Sequence, residues 1–144
     1  MSEQVTDSPT GWVAEHTERY LASGGTDGHE WRPGVPTLLL TTTGRRTGTR
    51  RRTALIYGRD ADRFVIVASK GGAPEHPAWY LNLEADPEVE VQVLDDVFPA
   101  RAETVEGDER TRLWALMCRT WPAYDDYQAK TDRQIPVVVL VPRR

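Results

Sequence analysis

The stretch Pro36–Ser69, PTLLLTTTGRRTGTRRRTALIYGRDADRFVIVAS, decides the fold. Thr37–Thr43 (TLLLTTT) is β-rich and apolar enough to be buried on both faces. Gly44–Gly48 reads as a turn and Arg52–Gly58 (RTALIYG) as a second strand. Arg59–Asp62 is a hairpin connection into a third strand, Arg63–Ser69 (RFVIVAS). Together these segments predict an antiparallel meander.

Towards the C-terminus, Lys70–Pro77 (KGGAPEHP) is a glycine-proline loop. Pro77 suits the first turn of a helix over Ala78–Ala85, which Asp86-Pro87 ends. Glu88–Leu94 (EVEVQVL) alternates polar and apolar residues, which predicts a strand with one wet face, and Val97–Val105 returns antiparallel. Gly107-Asp108 caps a helix whose apolar stripe is Leu113, Leu116, Met117 and Trp121. A short helical piece follows over Ala123–Thr131, and Ile135–Val141 (IPVVVLV) is a final buried strand. Towards the N-terminus, Ser8-Pro9 predicts a helix start. Trp12, Val13, His16, Tyr20 and Leu21 then share a face, and Ser23-Gly24-Gly25 is the stop. Thr26–Pro36 reads as a loop. About six strands, few helices and mainly local pairings predict a mainly β (α+β) fold, a small β-barrel with helices covering it.

The chain has 144 residues, 39% hydrophobic and 28% charged, which suits one globular core. That length excludes a two-domain enzyme carrying its own dinucleotide fold. The single cysteine, Cys118, excludes an internal disulfide and a multi-cysteine zinc site, and it reads as a structural thiol on a helix. His16, His29 and His76 lack metal-ligand spacing, so no metal is expected. No apolar run approaches the roughly 20 residues of a membrane span, and Met1–Thr10 lacks signal-peptide character. A cytoplasmic location is the expectation.

Charge is unevenly spread. Arg45–Arg52 (RRTGTRRR) holds five of the eighteen basic residues, and without it the net charge falls from −4 to −9. Gly44 and Gly48 permit tight turning, and arginine forks bind phosphate or carboxylate bidentately. The segment therefore reads as an anion-binding loop, with a solvated arginine face as the plain alternative. It is not a Walker loop. Nucleic acid is disfavoured as a partner, because the nine surplus acids would repel a long polyanion.

Three further segments complete a constellation. Val67-Ala68-Ser69-Lys70-Gly71-Gly72 follows a strand end and lets something flat approach the backbone. In His76–Asn82, Trp79 would ordinarily be core, whereas a buried Asn82 needs partners. Trp121, Tyr124 and Tyr127 are three apart, so in a helix they form an aromatic ridge, either packing or a wall for an aromatic substrate.

Read in order, these segments, with Thr131-Asp132-Arg133-Gln134-Ile135-Pro136, resemble the deazaflavin (F420)-dependent nitroreductases and F420H2-dependent quinone reductases of actinobacteria over about Pro36–Pro142. The resemblance implies a flavin-reductase-like split β-barrel, with residues 35–144 as a deazaflavin-binding domain and residues 1–34 as an N-terminal helix and loop, a candidate lid. It implies that Arg45, Arg46 and Thr47 hold the anionic part of F420, and that Arg51, Arg52, Thr53, Ala54, Leu55 and Ile56 continue along it. Val67, Ala68, Ser69 and Lys70 would lie at the ring and phosphate side, and Ala78, Trp79, Tyr80, Leu81 and Asn82 would wall the cofactor. Tyr124 would close the reaction end. Ser69 and Tyr124 are the catalytic candidates, and Trp79, Trp121, Tyr124 and Tyr127 the substrate-facing set. A neutral phenol has an ordinary pKa of about 10, so Tyr124 is expected to orient the acceptor first and donate a proton second.

The implied reaction is hydride transfer from reduced F420 to a quinone, nitroaromatic or activated alkene, with peripheral membrane contact giving access to quinones. An FMN enzyme on the same barrel, or an F420-binding carrier without catalysis, are the alternatives.

Overall fold

The computed structural model describes residues 5–7, 11–32 and 34–143. The Ser8-Pro9 helix start and the Trp12 and Val13 side chains lie outside the described residues. In chain order the elements are β1 (Val5–Asp7), α1 (Gly11–Ala22), β2 (Glu30–Arg32), β3 (Val35–Thr43), β4 (Arg50–Ile56) and β5 (Gly58–Asp60). They continue with β6 (Arg63–Val67), a 3₁₀ turn (Lys70–Gly72), α2 (Ala78–Ala85), β7 (Glu88–Val93) and β8 (Asp96–Val105). The chain ends with α3 (Gly107–Thr120), α4 (Ala123–Ala129) and β9 (Val137–Pro142).

All six expected strands form, and three short ones join them, making nine among the described residues. The strand order is β1-β4-β3-β7-β8-β9-β6-β5, with β2 on β3. The expected meander is corrected. Its first hairpin, β3–β4, forms in register from Thr37 opposite Ile56 to Thr43 opposite Arg50. The third strand, however, pairs with the C-terminal β9, Val67 opposite Val137, and its hairpin partner is the new β5. The chain leaves β4 at Tyr57, whose N–H is taken by the Pro36 carbonyl, and so crosses away from its own hairpin. The expected loop Thr26–Pro36 also contains β2 and the start of β3. β1 runs parallel to β4, Val5 opposite Arg50.

The curl of the sheet follows from alternation. Leu38, Leu40, Phe64, Ile66, Val138 and Leu140 point into one cluster with Val91 and Phe98, the barrel core. The residues between them, Val65, Val67, Val137 and Val139, point outward and are covered by Leu113 and Met117 of α3 and Tyr124 of α4. Leu39 and Ala54 are covered by Tyr20 of α1. Strands β3, β6 and β9 are therefore buried on both faces, whereas β7 buries Val89 and Val91 and exposes Glu88 and Glu90, as its alternation predicts.

Tyr20 fastens α1 to the sheet. Its hydroxyl accepts from the Leu94 N–H at 2.6 Å and lies 3.2 Å from the Thr37 carbonyl. Burial pushes this phenol up to about 12, and the Leu94 bond only partly opposes that rise. The helix after β8 begins at an extended Glu106 without a side-chain cap, so Gly107-Asp108 lies in its first turn instead. No helix among the described residues is long and apolar enough to cross a membrane.

Candidate active site

β4 sets the position of the site. On one side β3 pairs with its whole length, but on the other β1 covers only Arg50–Arg52. Beyond that point Ala54, Leu55 and Ile56 line a cavity of about 340 Å³. The end of β6 supplies Val67, and the turn after it supplies Ser69, Lys70 and Gly71. Pro77 and Trp79 come from the start of α2, and Trp121, Tyr124 and Tyr127 from the α3–α4 junction. His16 of α1 and Thr37 of β3 complete the lining. Segments separated by more than a hundred residues thus meet in one mainly apolar chamber.

The turn after β6 has an unusual backbone. Lys70 (φ +46°), Gly71 (φ +62°) and Gly72 (φ +85°) are consecutive left-handed residues. Lysine there is strained and persists only if its surroundings hold it. Gly72 is required by space as well as by φ, since a Cβ would lie 2.6 Å from the Tyr127 carbonyl oxygen. This contact sets the turn against α4. Lys70 also pairs with Glu75 at 2.9 Å, both well exposed, so the pair is weak, and Lys70 lines the cavity as well.

The aromatic ridge is assembled differently from a single helix. Trp121 ends α3, and only Tyr124 and Tyr127 lie within α4. The two tyrosine rings meet edge to face at 6.1 Å, and Trp121 Nε1 donates to the Tyr127 hydroxyl at 3.3 Å. Tyr124 is buried, belongs to the cluster under α3, and still lines the cavity. Burial holds its phenol well above the usual range, with Tyr127 and Cys118 adding to the rise. It therefore stays protonated at any physiological pH, with a hydroxyl hydrogen to donate.

The basic loop sits beside this chamber. Asn82 lies three residues, nearly one helical turn, beyond Trp79 on α2, and its Oδ1 accepts from the Arg45 backbone N–H (3.2 Å) and from Arg45 Nη1 (2.9 Å). Asn82 Nδ2 donates to Thr42 Oγ1 at 3.3 Å, which supplies the partners a buried amide needs. Arg51 lies three residues before Ala54 on β4, about 10 Å along the strand. Arg46, Thr47 and Arg51 are exposed.

Of the residues singled out from the sequence, Ala54, Leu55, Ile56, Val67, Ser69, Lys70, Trp79 and Tyr124 line the cavity, with Trp121 and Tyr127. Ala68 and Tyr80 lie in the barrel core, the Tyr80 hydroxyl 3.0 Å from Thr104 Oγ1. Asn82 is buried beneath the basic loop. Thr53 and Leu81 are half-buried and Ala78 exposed, away from the lining, and Arg45, Arg46, Thr47, Arg51 and Arg52 lie on the loop side. Gly71 and Pro77, which fall within segments read from the sequence, also line the cavity, whereas His16 and Thr37 were missed. His16 and Tyr20 are four apart on the α1 face read from the sequence, which was the available signal for His16. The three histidines go to separate partners: His16 Nε2 donates to the Gly28 carbonyl (2.6 Å), His29 meets the Tyr57 hydroxyl (2.8 Å), and His76 meets Arg133 (3.0 Å). Burial, with the Asp125 charge beside it, pushes the Cys118 thiol up to about 11, which suits a structural cysteine.

The pattern that defines the F420H(2)-dependent quinone reductases matches residues 12–142. The chain belongs to that family. An F420H(2)-dependent quinone reductase of Mycobacterium tuberculosis is 43% identical over 131 residues, covering 89% of this chain and 88% of the relative. A solved F420-H2 dependent reductase, FDR-A, is 44% identical with a TM-score of 0.68, covering 73% of this chain and 93% of its own. A structure described as a domain-swapped dimer is also 44% identical, with a TM-score of 0.71, covering 92% of this chain and 99% of its own. The curled sheet is thus the split β-barrel of flavin-reductase-like proteins. Members of this family are F420H2-dependent oxidoreductases, and the cofactor is reduced F420.

Proposed function

We propose that this chain reduces a quinone by two electrons at the cavity beside β4, with nitroaromatics and activated alkenes as further acceptors. The observation that carries the reading is the junction of an apolar aromatic chamber with a concentrated cationic loop, in a chain of this family. The donor set fits F420. The flat deazaflavin suits a chamber walled by Ile56, Val67 and Trp79, and the phosphate and glutamate tail suits Lys70 and the exposed Arg46 and Arg51. Arg45 is fixed by Asn82 and presents the loop rather than reaching freely.

When bound, the reduced cofactor supplies the hydride. The chain supplies position and field. Trp79 and Ile56, which line the chamber, would hold the ring of the cofactor. Trp121, Tyr124 and Tyr127 form the wall against which an aromatic acceptor lies. The Tyr124 hydroxyl donates to an acceptor oxygen as negative charge develops there. Its raised pKa favours that donation over full proton transfer, and Ser69 is the second hydroxyl within the same chamber. In this reading α1 acts as the cover: it brings His16 to the lining and is fastened by Tyr20. A quinone partitions into membranes, so the working place is the cytoplasmic side of the bilayer, reached by peripheral contact.

Mixing the protein with reduced F420 and menadione tests the reading. Oxidation of the cofactor matched by formation of hydroquinone is expected. Binding of F420 without turnover would make the chain a carrier instead.

A further inference from the structure

The segment between α4 and β9 has no role in the reaction proposed above, yet it supplies one of the most fully engaged cations among the described residues. Arg133 Nε donates to the Ala73 carbonyl (2.9 Å), and Nη2 donates to the Ser69 carbonyl (2.8 Å). Nη1 donates to the Ala68 carbonyl (3.2 Å) and to Nδ1 of His76 (3.0 Å). A guanidinium only donates, so His76 accepts at Nδ1 and carries its ring proton on Nε2. Three carbonyls within the six residues 68–73 thus converge on one planar fork. This segment contains the strained left-handed Lys70 and opens Ser69 and Lys70 towards the cavity.

The other end of Arg133 is equally held. Its own carbonyl accepts from Gln128 Nε2 at 2.8 Å, and Gln128 Oε1 accepts from the Ile135 N–H at 2.9 Å. Gln128 follows Tyr127 on α4, and the Tyr127 carbonyl is the atom against which Gly72 packs. Arg133 therefore bridges two walls of the chamber, the Ser69–Ala73 turn and the Tyr124–Tyr127 face of α4.

We infer that Arg133 is a positioning residue for hydride transfer, which holds the cofactor-side turn at a set distance from the acceptor-side aromatic wall. This rests on the functional reading of the chamber. The fork shape is essential, because a lysine ammonium is a single point charge and cannot span three carbonyls and an imidazole. A loosened turn would misalign donor and acceptor while the basic loop, which is anchored separately through Asn82, still binds the cofactor.

The test uses the full chain with F420H2 and menadione, and compares the single-turnover rate with the F420 dissociation constant. Arg133→Lys is expected to slow single turnover by roughly 10- to 100-fold, the size a displacement of about 1 Å can produce. F420 affinity should move much less. A wild-type single-turnover rate in Arg133→Lys, or a loss of rate matched by an equal loss of affinity, overturns the inference. If Arg133→Lys does not fold, Gln128→Ala is used, since it frees the Arg133 carbonyl without touching the guanidinium. The same split is expected there, and an unchanged rate overturns the inference. Failure of the wild-type protein to bind F420 would instead remove the functional reading itself.

Discussion

The two loops that flank the cavity are built on opposite plans. Gly44–Thr49 is exposed at Arg45–Gly48, dense in charge, and held to the helix layer through one buried amide, Asn82. Ser69–Pro77 carries a single lysine, has three consecutive left-handed residues, and is clamped from behind by Arg133 and against α4 at Gly72. Long flexible cations suit capture of a polyanionic tail, where exact placement matters little. A clamped turn suits a ring whose reacting atom must meet an acceptor within a fraction of an ångström. The comparison assigns affinity to the first loop and alignment to the second.

The largest effect is expected from Gly72→Ala. The new methyl group would strike the Tyr127 carbonyl at a φ of +85°, so strain and overpacking should together lower stability by about 2–4 kcal/mol. Turnover should drop with it. Gly71→Ala, at a φ of +62° but with open space around the new atom, should cost only about 1 kcal/mol. Thermal unfolding of the pair checks this, and equal losses would break the picture of a turn pressed onto α4.

Next come Arg46→Ala and Arg51→Ala. Each should weaken F420 binding by roughly one to two powers of ten and make it less salt-dependent, with single turnover at saturating cofactor unchanged. Titration at two ionic strengths checks it, and a rate loss in either variant would merge the two roles. Asn82→Ala should weaken binding by roughly tenfold, because it frees Arg45 and leaves the Arg45 N–H without its acceptor.

A smaller effect, about fivefold on turnover, is expected from Tyr124→Phe, the worth of one hydrogen bond of about 1 kcal/mol. Because burial holds this phenol well above its ordinary value, it stays protonated through neutral pH. The variant's pH–rate profile should therefore keep the shape of the wild-type profile between about pH 6 and 9. A changed shape would make Tyr124 a titrating acid.

How far the sequence told this story depended on length and locality. The strands longer than four residues were legible, because β7 alternates and β3, β6 and β9, buried on both faces, are continuous apolar, β-branched-rich runs bounded by turn residues. Three-residue β1, β2 and β5 carry no period. The pairing of Ile66 with Val138 spans seventy-odd residues of chain, which no local pattern encodes. In the site, contiguous motifs such as Arg45–Arg52 and Ser69–Lys70 stood out through charge and glycine. His16 and Thr37 did not, because they reach the chamber from α1 and β3 through tertiary packing alone. The Thr131–Pro136 motif was visible, but its use was not: the partners of Arg133 are carbonyls, which every residue has.

The smallest expected effect lies far from both loops. The Asp60 carboxylate is held well below the usual range, first by Arg112 and then by Arg63. A depressed carboxylate pKa contributes stability above its unfolded value of about 4 and loses it as pH falls further. Asp60→Asn should lower the melting temperature slightly at pH 7 and not at all at low pH, with turnover untouched.

The most direct measurement is a titration of the purified protein with F420 and, separately, with FMN, followed by turnover of the bound reduced cofactor with menadione. Tight F420 binding, weak or absent FMN binding, and one quinone reduced for each F420H2 oxidised are expected. Tight FMN binding with no F420 binding would contradict it.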